Sequence, residues 1–202
     1  DVFAVNEIKI GAGSGEINTE IDIPVVIDNM EEFTGFQFDI TLPAGIAYVP
    51  NSIIQSTRSD GHLVSANMID DNTLRFLGYS SVNNNFIGNS GEVFSFKLTP
   101  NVSSGTYPLN ISEAIISNLT LGDILSDVYQ GSIQINSPNL SLDPAAISYG
   151  NVPITEIRET TIRLTNTGSA LLTIDEVVYA TEQLSLDIQL PLDIAIGDFQ
   201  DI

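Results

Sequence analysis

The chain has 202 residues, 43% of them hydrophobic, enough apolar surface to bury a core and to exclude wholesale disorder. Only six basic residues (Lys9, Arg58, Arg75, Lys97, Arg158 and Arg163, scattered singly) stand against 26 acidic ones, a formal net charge of −20 that would repel a nucleic-acid backbone or an anionic bilayer. The absence of cysteine excludes a disulfide framework and thiolate chemistry, and no apolar run approaches the roughly 20 residues of a membrane helix.

From the N-terminus onward the dominant period is two. Ile21, Ile23, Val25 and Ile27 alternate with a face carrying Glu20 and Asp22, which predicts a strand with one wet side. Pro24 cannot donate to a ladder, so it predicts an edge or a bulge. Phe36, Phe38, Ile40 and Leu42 alternate with Gln37, Asp39 and Thr41. The pattern continues in Leu63–Met68, Thr73–Ser80, Phe94–Leu98, Tyr107–Ile111 and Ile133–Ile135. Turn chemistry separates these runs, at Gly11 to Gly15, Pro43-Ala44-Gly45, Asp70-Asp71-Asn72, Gly88 to Gly91 and Ser103-Ser104-Gly105. No stretch sustains a 3.6-residue stripe, so the fold class is all-β, a sandwich or barrel.

A boundary is expected near Asn136-Ser137-Pro138, giving one domain over 1–136 and a second over 139–202. Strand patterning restarts at Ile147 and Tyr149, Ile162 and Leu164, Leu172 and Ile174, and Leu184 to Leu190. A sandwich of this kind needs about 100 residues, so the second domain is expected to be incomplete at its C-terminus. A start at Asp1 without methionine suggests a processed or trimmed chain.

Three motifs in order carry a resemblance to a known family. They are Gly15-Glu16-Ile17-Asn18-Thr19-Glu20-Ile21-Asp22-Ile23-Pro24-Val25, then Phe33-Thr34-Gly35-Phe36-Gln37-Phe38-Asp39-Ile40-Thr41-Leu42-Pro43, then Gly91-Glu92-Val93-Phe94-Ser95-Phe96-Lys97-Leu98 followed by Gly105-Thr106-Tyr107-Pro108-Leu109. Together they resemble the cohesin domain over residues 5–135. Where many cohesins carry Tyr-Asp-Pro, this chain has Thr41-Leu42-Pro43-Ala44-Gly45, a variant similar to divergent forms in Bacteroidetes surface proteins. Residues 139–202 resemble immunoglobulin-like repeats of the ASPM/SPD-2/hydin type, through Leu142-Asp143-Pro144, Ile147-Ser148-Tyr149-Gly150-Asn151-Val152-Pro153 and Leu164-Thr165-Asn166-Thr167-Gly168-Ser169-Ala170-Leu171-Leu172-Thr173-Ile174, with Asn166 to Gly168 closing a hairpin. The resemblance implies a cohesin-like nine-stranded jelly-roll β-sandwich plus a partial immunoglobulin-like β-sandwich. It further implies a non-catalytic binding module, extracellular or on a bacterial cell surface, that takes a dockerin-like or other surface protein as partner. A polysaccharide ligand and a spacer or adhesin stalk are the alternatives.

Strand parity picks out the candidate partner face. Gln37 and Asp39 point away from the phenylalanines; Arg75 is expected in solvent, which puts Leu77 and Tyr79 on the same side; Leu63 and Asn67 lie opposite Val64, Ala66 and Met68. An aromatic and an arginine among polar groups resemble the composition of a protein interface. The single histidine, His62 after Asp60-Gly61, has no nucleophile elbow beside it and reads as a loop residue. Glu31 with Glu32 and Asp70 with Asp71 read as turn carboxylates rather than a glycosidase pair. No cofactor is expected. Asp70-Asp71-Asn72 and Asp123 with Asp127 are the candidate calcium ligands, without EF-hand spacing.

Overall fold

The alternating runs form strands in a computed structural model that describes residues 5–179 and 184–202. The chain divides into two compact units, Asp1–Ile135 and Asn136–Ile202. The first holds twelve strands: β1 (Asn6–Ile10), β2 (Ala12–Glu16), β3 (Ile21–Asn29), β4 (Gly35–Thr41), β5 (Ile46–Tyr48), β6 (Ile54–Gln55), β7 (Leu63–Met68), β8 (Thr73–Tyr79), β9 (Glu92–Pro100), β10 (Gly105–Ser117), β11 (Asp127–Tyr129) and β12 (Gly131–Asn136). The excess over the nine expected lies in β5, β6 and β11, each only two or three residues long. The one helical element among the described residues is a 3-10 turn, Thr57–Ser59.

Two sheets form the sandwich. One runs β11-β1-β3-β9-β5, with β6 also on β9; the other runs β2-β12-β10-β4-β8-β7. Between them lies a core in which Phe36 and Phe38 of β4 and Phe76 of β8 meet Phe94 and Phe96 of β9. The ring centroids are 5.8 Å apart for Phe36–Phe94, 5.0 Å for Phe38–Phe76 and 4.7 Å for Phe76–Phe96, within the range of favourable aromatic pairs. Pro24 sits in an interior strand: its carbonyl accepts from Gly11 N at 2.8 Å, so its missing N–H falls on the β1 side just past the end of that strand, and a register shift between Val25 and Val26 follows on the β9 side.

Arg58, one residue among the scattered bases in the sequence, is buried and donates to five acceptors. Its Nε reaches Ile87 O at 2.7 Å, Nη1 reaches Gly91 O at 3.0 Å and also Ile27 O, and Nη2 reaches Asn29 Oδ1 at 2.7 Å and Gly88 O at 3.2 Å. Burial pulls its guanidinium below the ordinary arginine range and the Asp28 charge opposes this. The side chain thus pins the 86–91 segment to the end of β3 and satisfies carbonyls that no strand pairs.

The second unit contains β13 (Leu140–Asp143), β14 (Arg163–Asn166), β15 (Leu172–Ile174), β16 (Leu192–Ile194) and β17 (Phe199–Asp201), in sheets β13-β14-β17 and β15-β16. Its buried apolar residues among those described are Leu164, Ala170 and Ile194. Asn166 is fully buried: its Nδ2 donates to Ala170 O at 2.8 Å and Ile194 O at 3.0 Å, and its Oδ1 accepts from Gly168 N at 2.9 Å. Because β14 and β15 belong to different sheets, the Asn166–Gly168 turn passes between sheets and does not close the expected hairpin. Gly168 is required by close approach, since a Cβ there would sit 2.4 Å from Asn139 N and Ser137 O. Ile147, Tyr149 and Leu184 to Leu190, expected in strands, pair with nothing regular. Residues 180–183 lie outside the described residues.

Replacing Arg58 by methionine removes the donor from two buried acceptors, Ile27 O and Asn29 Oδ1, while Gly91 O keeps its bond from Ile27 N. The expected cost is about 3 kcal/mol of unfolding free energy, measured by urea denaturation. An unchanged midpoint would show that water replaces the guanidinium without penalty.

Candidate functional site

The strands β10, β4, β8 and β7 bury Phe36, Phe38, Ile40, Leu74 and Phe76, and period two then turns the intervening residues outward. Register arranges them in rows. Ser117, Gly35, Tyr79 and Leu63 lie side by side; next come Ile115, Gln37, Leu77 and Ser65; then Ser112, Asp39, Arg75 and Asn67. All seven predicted residues therefore lie on one outer face. Four large apolar side chains are exposed there: Leu63 at 55%, Tyr79 at 49%, Leu77 at 39% and Ile115 at 39%.

Asp39 points to the outer face, as parity expects, yet it is covered there. It is only 2% exposed, because Arg75 on the neighbouring strand lies over it and donates from Nε to Oδ1 and from Nη2 to Oδ2, both at 2.7 Å. Such a bidentate pair fixes both side chains in one plane. Gln37 is half-buried and Asn67 exposed. Met68, expected to face inward, is 42% exposed at the end of β7, where the Asp70–Asn72 turn leaves it uncovered.

Ile115 escapes sequence reading. Counted from Leu109 and Ile111, both buried, it belongs inside. A bulge between Ser112 and Ile115 inserts one residue, with Glu113 at φ 48°, and this reverses the parity of the strand end. Ile115 then faces out and Ile116 is buried. A glutamate in left-handed geometry has no local sequence signal comparable to Asn-Gly.

The opposite outer face, on β1, β3 and β9, differs in kind. Lys9 contacts Glu7 at 2.6 Å and Asp28 at 2.8 Å, lying 5.1 Å over the Tyr129 ring, and Lys97 contacts Glu20 at 2.9 Å. Apart from Tyr129 and Ile54, no large apolar side chain of its strands is exposed among the described residues. The hydrogen bond from Lys9 holds the Asp28 carboxyl below the ordinary aspartate range, helped by Gly91 N–H and the Arg58 charge, and the two carboxylates push Lys9 above the ordinary lysine range.

Other candidate residues have structural partners. His62 is buried, with Nδ1 3.2 Å from Asp60 O, Nε2 3.0 Å from Asn84 O and its ring 3.7 Å from that of Phe86. Asp70 Oδ1 accepts from Asn72 N at 2.9 Å and Thr73 N at 2.7 Å, which lowers its carboxyl and closes the β7–β8 turn. Asp123 Oδ1 accepts from Leu125 N at 3.0 Å and Asp127 Oδ1 from Val128 N at 2.8 Å. Glu32 accepts from Asn85 Nδ2. No group of three or more His, Cys, Asp or Glu positioned to hold a metal occurs among the described residues.

No protein-family signature matches the chain, and no curated protein matches it. Solved structures do. A non-cellulosomal cohesin from the hyperthermophilic archaeon Archaeoglobus fulgidus superimposes with TM-score 0.56 at 16% identity, over 66% of this chain and 92% of that one. The fold is cohesin-like. The seventh ScaB type I cohesin of Pseudobacteroides cellulosolvens matches with TM-score 0.55 at 16% identity, over 77% of this chain and 99% of its own. A structure of a type I cohesin–dockerin complex from Clostridium thermocellum matches with TM-score 0.55 at 13% identity, over 65% and 93%.

Two outcomes follow for stability. Arg75→Met leaves a carboxylate buried without its partner, so it is expected to lower the urea midpoint more than the double variant Asp39→Leu/Arg75→Met, which removes both charges. Asp28, with its lowered folded-state titration, contributes stability that is full above the ordinary aspartate range and is lost as pH falls through the folded value. Asp28→Asn is therefore expected to flatten the acid limb of the stability–pH curve, by less than about 1 kcal/mol given the exposure of the pair to solvent.

Proposed function

We propose that the first unit is a non-catalytic protein-binding module whose β10-β4-β8-β7 face receives a protein partner, dockerin-like in kind, in an extracellular or cell-surface assembly. One observation carries the reading: of the two outer faces, only this one combines exposed Leu63, Leu77, Tyr79 and Ile115 with a rigid polar pair, Asp39–Arg75. An apolar centre beside a fixed polar group is how protein interfaces concentrate binding energy. The opposite face meets water with lysines already engaged by carboxylates. The cohesin-like fold supports the same choice, since several of its structural neighbours are cohesins solved with dockerins.

The reading is tested by titration calorimetry against purified type I dockerins and against proteins recovered from a cell-surface extract. Tyr79→Ala is expected to weaken the recovered complex roughly thirty-fold, the loss of one hot-spot side chain, with an unchanged melting temperature. Equal affinity of wild type, Tyr79→Ala and Leu77→Asp would remove this face from the interface. A specific glycan-array signal abolished by Tyr79→Ala would instead favour a carbohydrate ligand.

A further inference from the structure

Past Ser117 the chain makes a tight turn, Asn118 to Gly122, and returns through the bridge between Ser117 and Asp123. Asn118 closes it. Its Oδ1 accepts from Thr120 N at 3.0 Å, Thr120 Oγ1 at 2.8 Å and Gly122 N at 3.1 Å, while Leu121 N donates to Asn118 O at 3.0 Å and Asn118 N to Gly122 O at 3.2 Å. With its polar groups so engaged, the turn displays two leucines: Leu119 is 57% exposed and Leu121 88%. Leu121 also adopts φ 61°, a left-handed conformation ordinary for glycine or asparagine and uncommon for a leucine. An apolar side chain is thus held in water, on unfavourable backbone, in a place where it packs against nothing in the core cluster.

The turn stands at one end of the partner face. Ser117 begins the row Ser117, Gly35, Tyr79 and Leu63, and Thr34 links the neighbouring strand ends by donating to Ser117 O at 2.8 Å and accepting from Ser80 N at 3.2 Å. Gly35 presents no side chain, so this row has a gap between Tyr79 and the strand that leads into the turn. Within the first unit the chain on either side of the turn carries one sign of charge: residues 98–135 include Glu113, Asp123 and Asp127 and no lysine or arginine.

We propose that Leu121, with Leu119 beside it, is a preset anchor that enters an apolar recess in the same protein partner that covers the outer face, and that basic side chains rim this recess. The assignment rests on the reading of that face as the binding surface. The rigid turn fixes the anchor before contact, which reduces the ordering that binding requires, and the acidic surroundings select a cationic rim. An anionic bilayer is disfavoured by the same charge.

A photo-crosslinking residue placed at position 121, at 79, or at 95 on the opposite sheet tests this with cell-surface extract. The same adduct mass from 121 and 79, and none from 95, is expected. An adduct from 79 without 121 overturns the anchor and leaves the face; one from 121 without 79 removes the face and with it the shared-partner anchor; no adduct from either overturns both. Leu121→Asn is expected to weaken binding of the crosslinked partner at least ten-fold, with a melting temperature unchanged or up to about 3 °C higher, because asparagine tolerates this backbone. A fall beyond about 3 °C would make the leucine a structural element and end the proposal. Affinity is expected to weaken from 50 to 500 mM NaCl, and salt-independent binding would remove the basic rim. Co-sedimentation with phosphatidylcholine vesicles, abolished by Leu121→Asn, would replace the protein recess by a lipid surface and overturn the proposal.

Discussion

The surface of the first unit follows from a constraint in its interior. Phe36, Phe38, Phe76, Phe94 and Phe96 must meet across the space between two sheets, and a strand has only two sides. Once Phe36 and Phe38 point inward, Gln37 and Asp39 point outward; once Phe76 is inside, Arg75 and Leu77 are outside. A slip of one residue in β4 or β8 would put the phenylalanines in water, so the register that pairs Asp39 with Arg75 is set by the aromatics beneath them. The proposed partner face is in this sense the reverse side of the core.

Loops are held by a different means. Asn6 donates to Ile124 O at 2.9 Å and accepts from Met30 N at 3.0 Å and Glu31 N at 3.2 Å, tying the β3–β4 turn to the segment before β11. Arg58 does the same for the 86–91 segment, and Asn166 is the corresponding tie in the second unit. These buried polar side chains pair main-chain groups of the connections, and they act beside apolar anchors of the same segments, Phe33 in the β3–β4 turn and Phe86 in the 86–91 segment. Among the described residues the second unit has three buried apolar side chains against two dozen in the core of the first, so a polar tie such as Asn166 stands beside less apolar packing.

Much of this was legible in the sequence wherever the period of two ran without interruption. β3, β4, β8 and β9 follow their alternation closely, and the seven residues expected on one face lie there. Reading failed where the physics is non-local. The burial of Asp39 depends on a guanidinium from the next strand, and the exposure of Ile115 on one extra residue at Glu113. Arg58 looked like any isolated surface base, because nothing in its neighbours Thr57 and Ser59 announces that five acceptors converge on it from other segments. In the second unit alternation at Ile147 and Tyr149 and at Leu184 to Leu190 was present without strand partners, and a pattern with nothing to pair against makes no sheet.

One glycine bears on how fast a complex would come apart. At Gly78 a Cβ would lie 2.2 Å from Cε1 of Phe36, so the main chain between Leu77 and Tyr79 rests directly on the aromatic ring. That stretch of β8 is hydrogen-bonded on both flanks and backed by a flat, incompressible support. Leu77 and Tyr79 thus have little main-chain entropy left to surrender on association, a circumstance that lengthens residence time more than it speeds encounter.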